Sequence, residues 1–224
     1  MEKLKINVSE YVRNNVSLFF FFLALVAQGW LIDPTLGFTQ LPLNASNFHI
    51  QKPYNLPVEE RYSFIHGIHR LWVYSTDKPL SYNSPTNPRT EIMLREYIYS
   101  SGVWQFEGCG YVPSGSTGMC IMQVFGAHPC NTTLMLRVYN GTLSYYSKAV
   151  VEENIYDRWF RLNVIHDVER SHLKVYVDGI LKLEVAGRGG TTHYFKCGVY
   201  AQDHYSYYME SRWKNIKVLT KNVY

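Results

Sequence analysis

Residues 171–185 read Ser171-His172-Leu173-Lys174-Val175-Tyr176-Val177, then Asp178-Gly179, then Ile180-Leu181-Lys182-Leu183-Glu184-Val185. Two alternating runs meet at an Asp-Gly pair, and glycine tolerates the positive φ that a two-residue turn requires. The stretch predicts a β-hairpin. Working outward, residues 159–165 form a further alternating run before it, and residues 134–139, 142–146 and 212–219 continue the set. Asn140-Gly141 supplies a second tight turn. Helical periodicity is scarce, no internal repeat is evident, and nineteen tyrosines with five tryptophans favour strands. Many short strands with regular turns predict an all-β, two-sheet sandwich, with a β-barrel as the alternative architecture. Pro53, Pro57, Pro79, Pro85 and Pro88 make the first third loop-rich, and this part is expected to wrap the sandwich edge.

Residues 1–29 read as a secretory signal. Lys3, Lys5 and Arg13 make a basic start, and residues 16–27 form an apolar run too short to span a bilayer comfortably. Ala27-Gln28-Gly29 places small residues where a signal peptidase reads, so one mature domain is expected over residues 30–224. An uncleaved membrane anchor is the competing reading; after cleavage no stable membrane insertion is expected. Asn44, Asn131 and Asn140 each begin an Asn-x-Ser/Thr glycosylation triplet. Four cysteines, Cys109, Cys120, Cys130 and Cys197, would tend to pair in an oxidising compartment, with three possible connectivities. None has C-x-x-C spacing, which argues against a zinc or redox motif. The formal charge of +4 is scattered without a Lys/Arg block, which argues against nucleic-acid binding.

Three segments carry the candidate chemistry. In His193-Tyr194-Phe195-Lys196-Cys197-Gly198-Val199-Tyr200-Ala201-Gln202, alternation puts Tyr194, Lys196, Tyr200 and Gln202 on one face and Phe195, Cys197 and Val199 on the other. A cation among phenols and amides suits an anionic or sugar-like ligand. In Arg89-Thr90-Glu91-Ile92-Met93-Leu94-Arg95, the residues Arg89, Glu91, Met93 and Arg95 share a face, and Glu91 can hold Arg89 so that it presents its fork to a carboxylate. In Cys120-Ile121-Met122-Gln123-Val124-Phe125-Gly126, Gln123 is the polar group on a face with Ile121 and Phe125. His66-Gly67-Ile68-His69 lacks a third metal ligand, Gly187-Arg188-Gly189-Gly190 lacks a phosphate-loop ending, and His166-Asp167 reads as a turn. The glycine-rich run is expected over the cleft entrance. No cofactor is implied.

These segments, in this order, resemble the alginate lyase family with a β-jelly-roll fold, whose motifs are R-[ST]-E-x-R, Q-[IV]-H and Y-F-K-A-G-x-Y-x-Q. Residues 47–54, 101–108, 121–127 and 207–213 also resemble the plant citrate-binding proteins, a group sharing that fold. The resemblance implies a jelly-roll sandwich whose cleft is formed by the three motifs. It implies that Gln123 and Arg89 would neutralise a uronate carboxylate, and that Tyr200 would give or take a proton. It also implies that the strands of Cys120 and Cys197 are neighbours, so that these two thiols could pair, leaving Cys109 with Cys130.

The departures shift the expectation. Phe125 stands where the lyases carry histidine and cannot accept a proton; Met93 replaces the second arginine. What remains, Arg89, Glu91, Gln123, Lys196 and Tyr200, suits holding citrate or a similar polycarboxylate without catalysis. A monomeric secretory-pathway protein, destined for vacuole or cell wall, is the leading expectation. A lyase acting on an acidic uronan through Tyr200 is the alternative, although a phenol with a pKa of about 10 makes a poor base near neutrality. A lectin for acidic glycans is the third.

Overall fold

The computed structural model describes residues 33–126 and 132–221. Among them, fifteen strands run in chain order: β1 (Thr39–Gln40), β2 (Phe48–Gln51), β3 (Tyr62–Ile65), β4 (Ile68–Tyr74), β5 (Arg89–Leu94), β6 (Val103–Tyr111), β7 (Met119–Phe125), β8 (Thr132–Tyr139), β9 (Thr142–Tyr145), β10 (Ala149–Glu152), β11 (Trp159–Asp167), β12 (His172–Val177), β13 (Ile180–Ala186), β14 (Tyr194–Ala201) and β15 (Tyr208–Lys221). One sheet has the order β13-β12-β11-β6-β15-β4-β3, with β1 also paired to β15; the other has the order β10-β9-β8-β7-β14-β5-β2. The strand pairings are antiparallel, and the two sheets make a jelly-roll sandwich. The described residues contain no helix long and apolar enough to cross a membrane.

The hairpin turns follow from their residues. Asp178 and Gly179 have φ of 53° and 83°, and Asn140 and Gly141 have 49° and 82°, both central positions being left-handed as the strand twist demands. The core lies between the sheets. Alternation on β6 and β15 sends Phe106, Trp213 and Val218 inward, where they meet Ile92, Val124, Phe195 and Val199 from the opposite sheet. The Phe106 ring lies 6.0 Å from Phe195 and 5.7 Å, edge-on, from Trp213. Two polar links tie the sheets where β14 crosses β15 and β5 crosses β4: Ser211 Oγ donates to Gly198 O at 2.7 Å, and Thr90 Oγ1 donates to Trp72 O at 2.9 Å.

Several local expectations are corrected. Ile121 does not share a face with Gln123. β7 carries an extra residue against β8 between Cys120 and Met122, so Ile121 joins Met122 in the core and Cys120 turns outward opposite Arg137 and Tyr200. This also removes the proposed Cys120–Cys197 bridge: both are free thiols, Cys197 on the core side and Cys120 on the other face. Burial pushes both thiols well above their ordinary range. Cys109 is a free thiol on β6; its suggested partner Cys130, like Asn131 and residues 1–29, lies outside the described residues. Asn44 and Asn140 are exposed; the Asn44 side chain caps a short turn, accepting from Ser46 N at 2.9 Å.

Arg95 follows the end of β5 and leaves the Arg89–Glu91–Met93 face. His166-Asp167 is not a turn but the end of β11, held by pairing to both β6 and β12. His166 packs edge-on against His193 at 4.6 Å and lies 3.1 Å from the Tyr99 hydroxyl. His69 is buried against Phe48, Tyr62 and Phe64. The proline-rich first third does more than wrap an edge: it contributes the edge strands β2 and β3, and Leu80, Ser84 and Thr86 line a cleft.

Candidate binding cleft

The outer face of the seven-stranded sheet carries a cavity of about 560 Å³. Its floor comes from β5, β14, β7 and β8, adjacent in that order. Two cross-strand rows set the chemistry. One row runs Met93, Lys196, Gln123, Met135; the other runs Arg89, Tyr200, Cys120, Arg137. Between them Gly198 pairs with Glu91, which pairs in turn with Gln51. Alternation along β14 brings Tyr194, Lys196 and Tyr200 to the cleft, and Gln202 joins them just beyond the strand.

Glu91 is the hub. It is 1% exposed, and Arg89 Nη1 and Lys196 Nζ each stand 3.5 Å from its Oε2. Gln123 Nε2 donates to its Oε1. A buried carboxylate needs such compensation, and here two cations share one anion, leaving a surplus positive charge. The Arg89 guanidinium lies 3.7 Å over the Tyr200 ring, which fixes the plane of its fork. Arg89 Nε and Gln51 Oε1 are buried without a hydrogen-bond partner.

An aromatic wall closes the Phe125 end. Phe125 and Tyr194 stack at 4.9 Å, with Lys196 Nζ 5.0 Å from the Phe125 ring centre. Burial, reinforced by Glu91, pushes the Tyr194 phenol up to about 12. No histidine lines the cleft among the described residues. His193 is adjacent in sequence, but its Nδ1 lies 3.3 Å from Phe125 O.

A second cationic group stands on the β8 side of the floor. Arg137 and Arg188 lie 5.2 Å and 5.0 Å over the ring of Tyr146, whose hydroxyl donates to Thr132 O at 2.7 Å. Burial raises the Tyr146 phenol, opposed by Arg188. Arg188 N donates to Thr133 Oγ1 at 2.8 Å, so the segment between β13 and β14 is fastened to β8 with Arg188 beside the cleft.

All five residues singled out from sequence, Arg89, Glu91, Gln123, Lys196 and Tyr200, therefore stand together. Arg137, Tyr146 and Gln51 were missed, and Arg188 was read only as part of a loop. Arg137 had a signal: it is the lone cation among Leu134, Leu136 and Val138 in an alternating run, which puts it on the outward face with Met135. Gln51 and Tyr146 had none, because they reach the cleft through pairing and a turn.

An antiparallel sandwich whose outer sheet face gathers these three motifs defines the class. A family model described as alginate lyase matches residues 41–220, and the chain belongs to that family. Among curated proteins, the citrate-binding protein of Hevea brasiliensis is 56% identical over 187 residues, covering 83% of this chain and 79% of that protein. Among solved structures, the alginate lyase AlgAT5 of polysaccharide lyase family 7 superposes with a TM-score of 0.60 at 16% identity, covering 77% of this chain and 93% of that one. A family 7 alginate lyase in complex with substrate gives 0.64 at 14% identity, covering 81% and 96%. An alginate lyase from Pseudomonas aeruginosa gives 0.59 at 16%, covering 80% and 100%. At these identities the structural likenesses establish the fold alone.

Proposed function

We propose that the cleft holds citrate or a similar polycarboxylate and does not break a bond in it. The observation that carries this reading is the composition of the cleft floor: Arg89 and Lys196 share a single buried carboxylate, while Phe125 occupies the place of the motif histidine. Cations arranged for carboxylates are present and an imidazole base is absent from the described lining. The cavity size suits a small molecule, and the 56% identical relative is named a citrate-binding protein. The protein is further proposed to act as a monomer in the secretory pathway, reaching vacuole or cell wall; the signal-like residues 1–29 support that route.

Calorimetric titration with citrate tests the reading. Binding by the full-length mature chain is expected, with Arg89→Ala and Lys196→Ala each weakening it about tenfold or more, since each removes a charge-assisted contact. Citrate affinity unchanged in both variants would overturn it.

One observation favours a second reading. Arg89, Gln123 and Tyr200 retain the motif positions, and a phenol can in principle serve as both base and acid in a syn elimination. An acidic-uronan lyase is therefore the alternative activity, and ultraviolet absorbance during incubation with uronan polymers separates the two.

A further inference from the structure

The cation pair of the second row lies at both ends of a straight line across the sheet. Arg137 pairs with Cys120, Cys120 with Tyr200, and Tyr200 with Arg89, one residue from each of four adjacent strands. Three strand spacings separate the outer two backbones, about 14 Å. The interior positions are a thiol and a phenol, neither an Asp/Glu nor a Lys/Arg side chain, and burial pushes the Cys120 thiol up. The row thus presents guanidinium, uncharged floor, guanidinium.

Each end has spare capacity. At one end, Arg89 and Lys196 have only Glu91 between them, and Arg89 Nε is buried without a partner. At the other, the Arg137 side chain is 14% exposed, its Nε is also buried without a partner, and its counter-ion, Asp203, stands 3.2 Å away with a side chain 66% exposed. An ion pair with so exposed a carboxylate is weakly held and readily exchanged. Buried guanidinium donors without partners are costly. A ligand carboxylate would satisfy one at each end.

From this geometry we infer that Arg137, stacked with Arg188 on Tyr146, forms a second carboxylate subsite, so that the cleft selects acids bearing carboxylates on separate carbons. This rests on the reading of the cleft as a polycarboxylate site and specifies which residue sets its selectivity. One carboxylate sits at Arg89 and Lys196, the ligand body crosses Tyr200, and another carboxylate meets Arg137. A monocarboxylic acid uses the first end alone. The bulge around Ile121 is what makes this possible, because without it Arg137 would face Ile121 instead of Cys120 and the row would be broken.

Titrations of citrate and of 2-hydroxyisobutyrate, which keeps the hydroxyl and a single carboxylate, test it in wild type, Arg137→Ala, Asp203→Asn and Arg89→Ala. Arg137→Ala is expected to weaken citrate about tenfold or more while leaving 2-hydroxyisobutyrate within about twofold. Asp203→Asn removes the arginine's counter-ion but not the arginine, and is expected to hold or improve citrate affinity. Arg89→Ala is expected to weaken both acids. Wild-type citrate affinity in Arg137→Ala, with Arg89→Ala still weakened, would overturn the second subsite and leave the binding reading standing. Equal loss in Arg137→Ala and Asp203→Asn would also overturn it, because that pattern belongs to a structural ion pair. Absence of citrate binding by the wild type would overturn the binding reading itself, and this inference with it.

Discussion

At the scale of single residues, the cleft depends on a glycine as much as on its charges. Gly198 sits at φ +146°, between Lys196 and Tyr200 and opposite Glu91. A Cβ there would stand 2.4 Å from Thr90 O and 2.7 Å from the Glu91 Cα, both backbone atoms that cannot swing aside. The same residue's carbonyl accepts from Ser211 Oγ in the opposite sheet. Gly198→Ala is therefore expected to lower unfolding free energy by about 1–3 kcal/mol and to displace Glu91 from Arg89 and Lys196. Chemical denaturation measures the first effect; a variant as stable as wild type would contradict the account. Phe125 acts at the same scale. Its ring packs on Tyr194 and under Lys196, so it serves as wall where the motif's histidine would have served as base.

At the scale of elements, alternation made most of this legible. The hairpin at Asp178-Gly179 and the turn at Asn140-Gly141 followed from residues that accept positive φ, and Tyr194, Lys196 and Tyr200 followed from period-two alternation. What alternation cannot foresee is an inserted residue. The bulge between Cys120 and Met122 is set by how β7 registers against β8 and β14 together, a long-range condition that no local pattern on β7 encodes. One such slip reverses the facing of everything on its far side, which is why Ile121 and Cys120 were both misplaced and the Cys120–Cys197 pairing failed. The length of β11 was misjudged for a related reason: His166 and Asp167 continue the strand because β6 and β12 pair with them on both sides.

At the scale of the whole molecule, buried histidines give stability a pH dependence. Burial lowers His69 and His166 to about 4, from an ordinary value near 6.5. In the unfolded chain both take up a proton first as pH falls, so the unfolded state binds more protons between about pH 6.5 and pH 4. Stability is accordingly full above about pH 6.5 and declines as pH drops toward 4, by up to about 3 kcal/mol per histidine. A thermal melting midpoint that falls across that window is expected; one that is flat or rises contradicts the burial of these rings. The charge layout acts at this scale too. With Arg89, Lys196 and Arg137 on one sheet face against Glu91 and the exposed Asp203, the cleft floor carries a surplus of positive charge, which is the field that the proposed polycarboxylate site requires. Under the proposed function, this field holds its ligand and leaves its bonds intact. The most direct test is ultraviolet absorbance during incubation of the folded mature protein with alginate, polyglucuronate and polygalacturonate, because β-elimination creates a conjugated unsaturated uronate. A flat trace is expected with all three polymers; a rise that disappears in Tyr200→Phe would contradict the binding function and establish a tyrosine-driven lyase in its place.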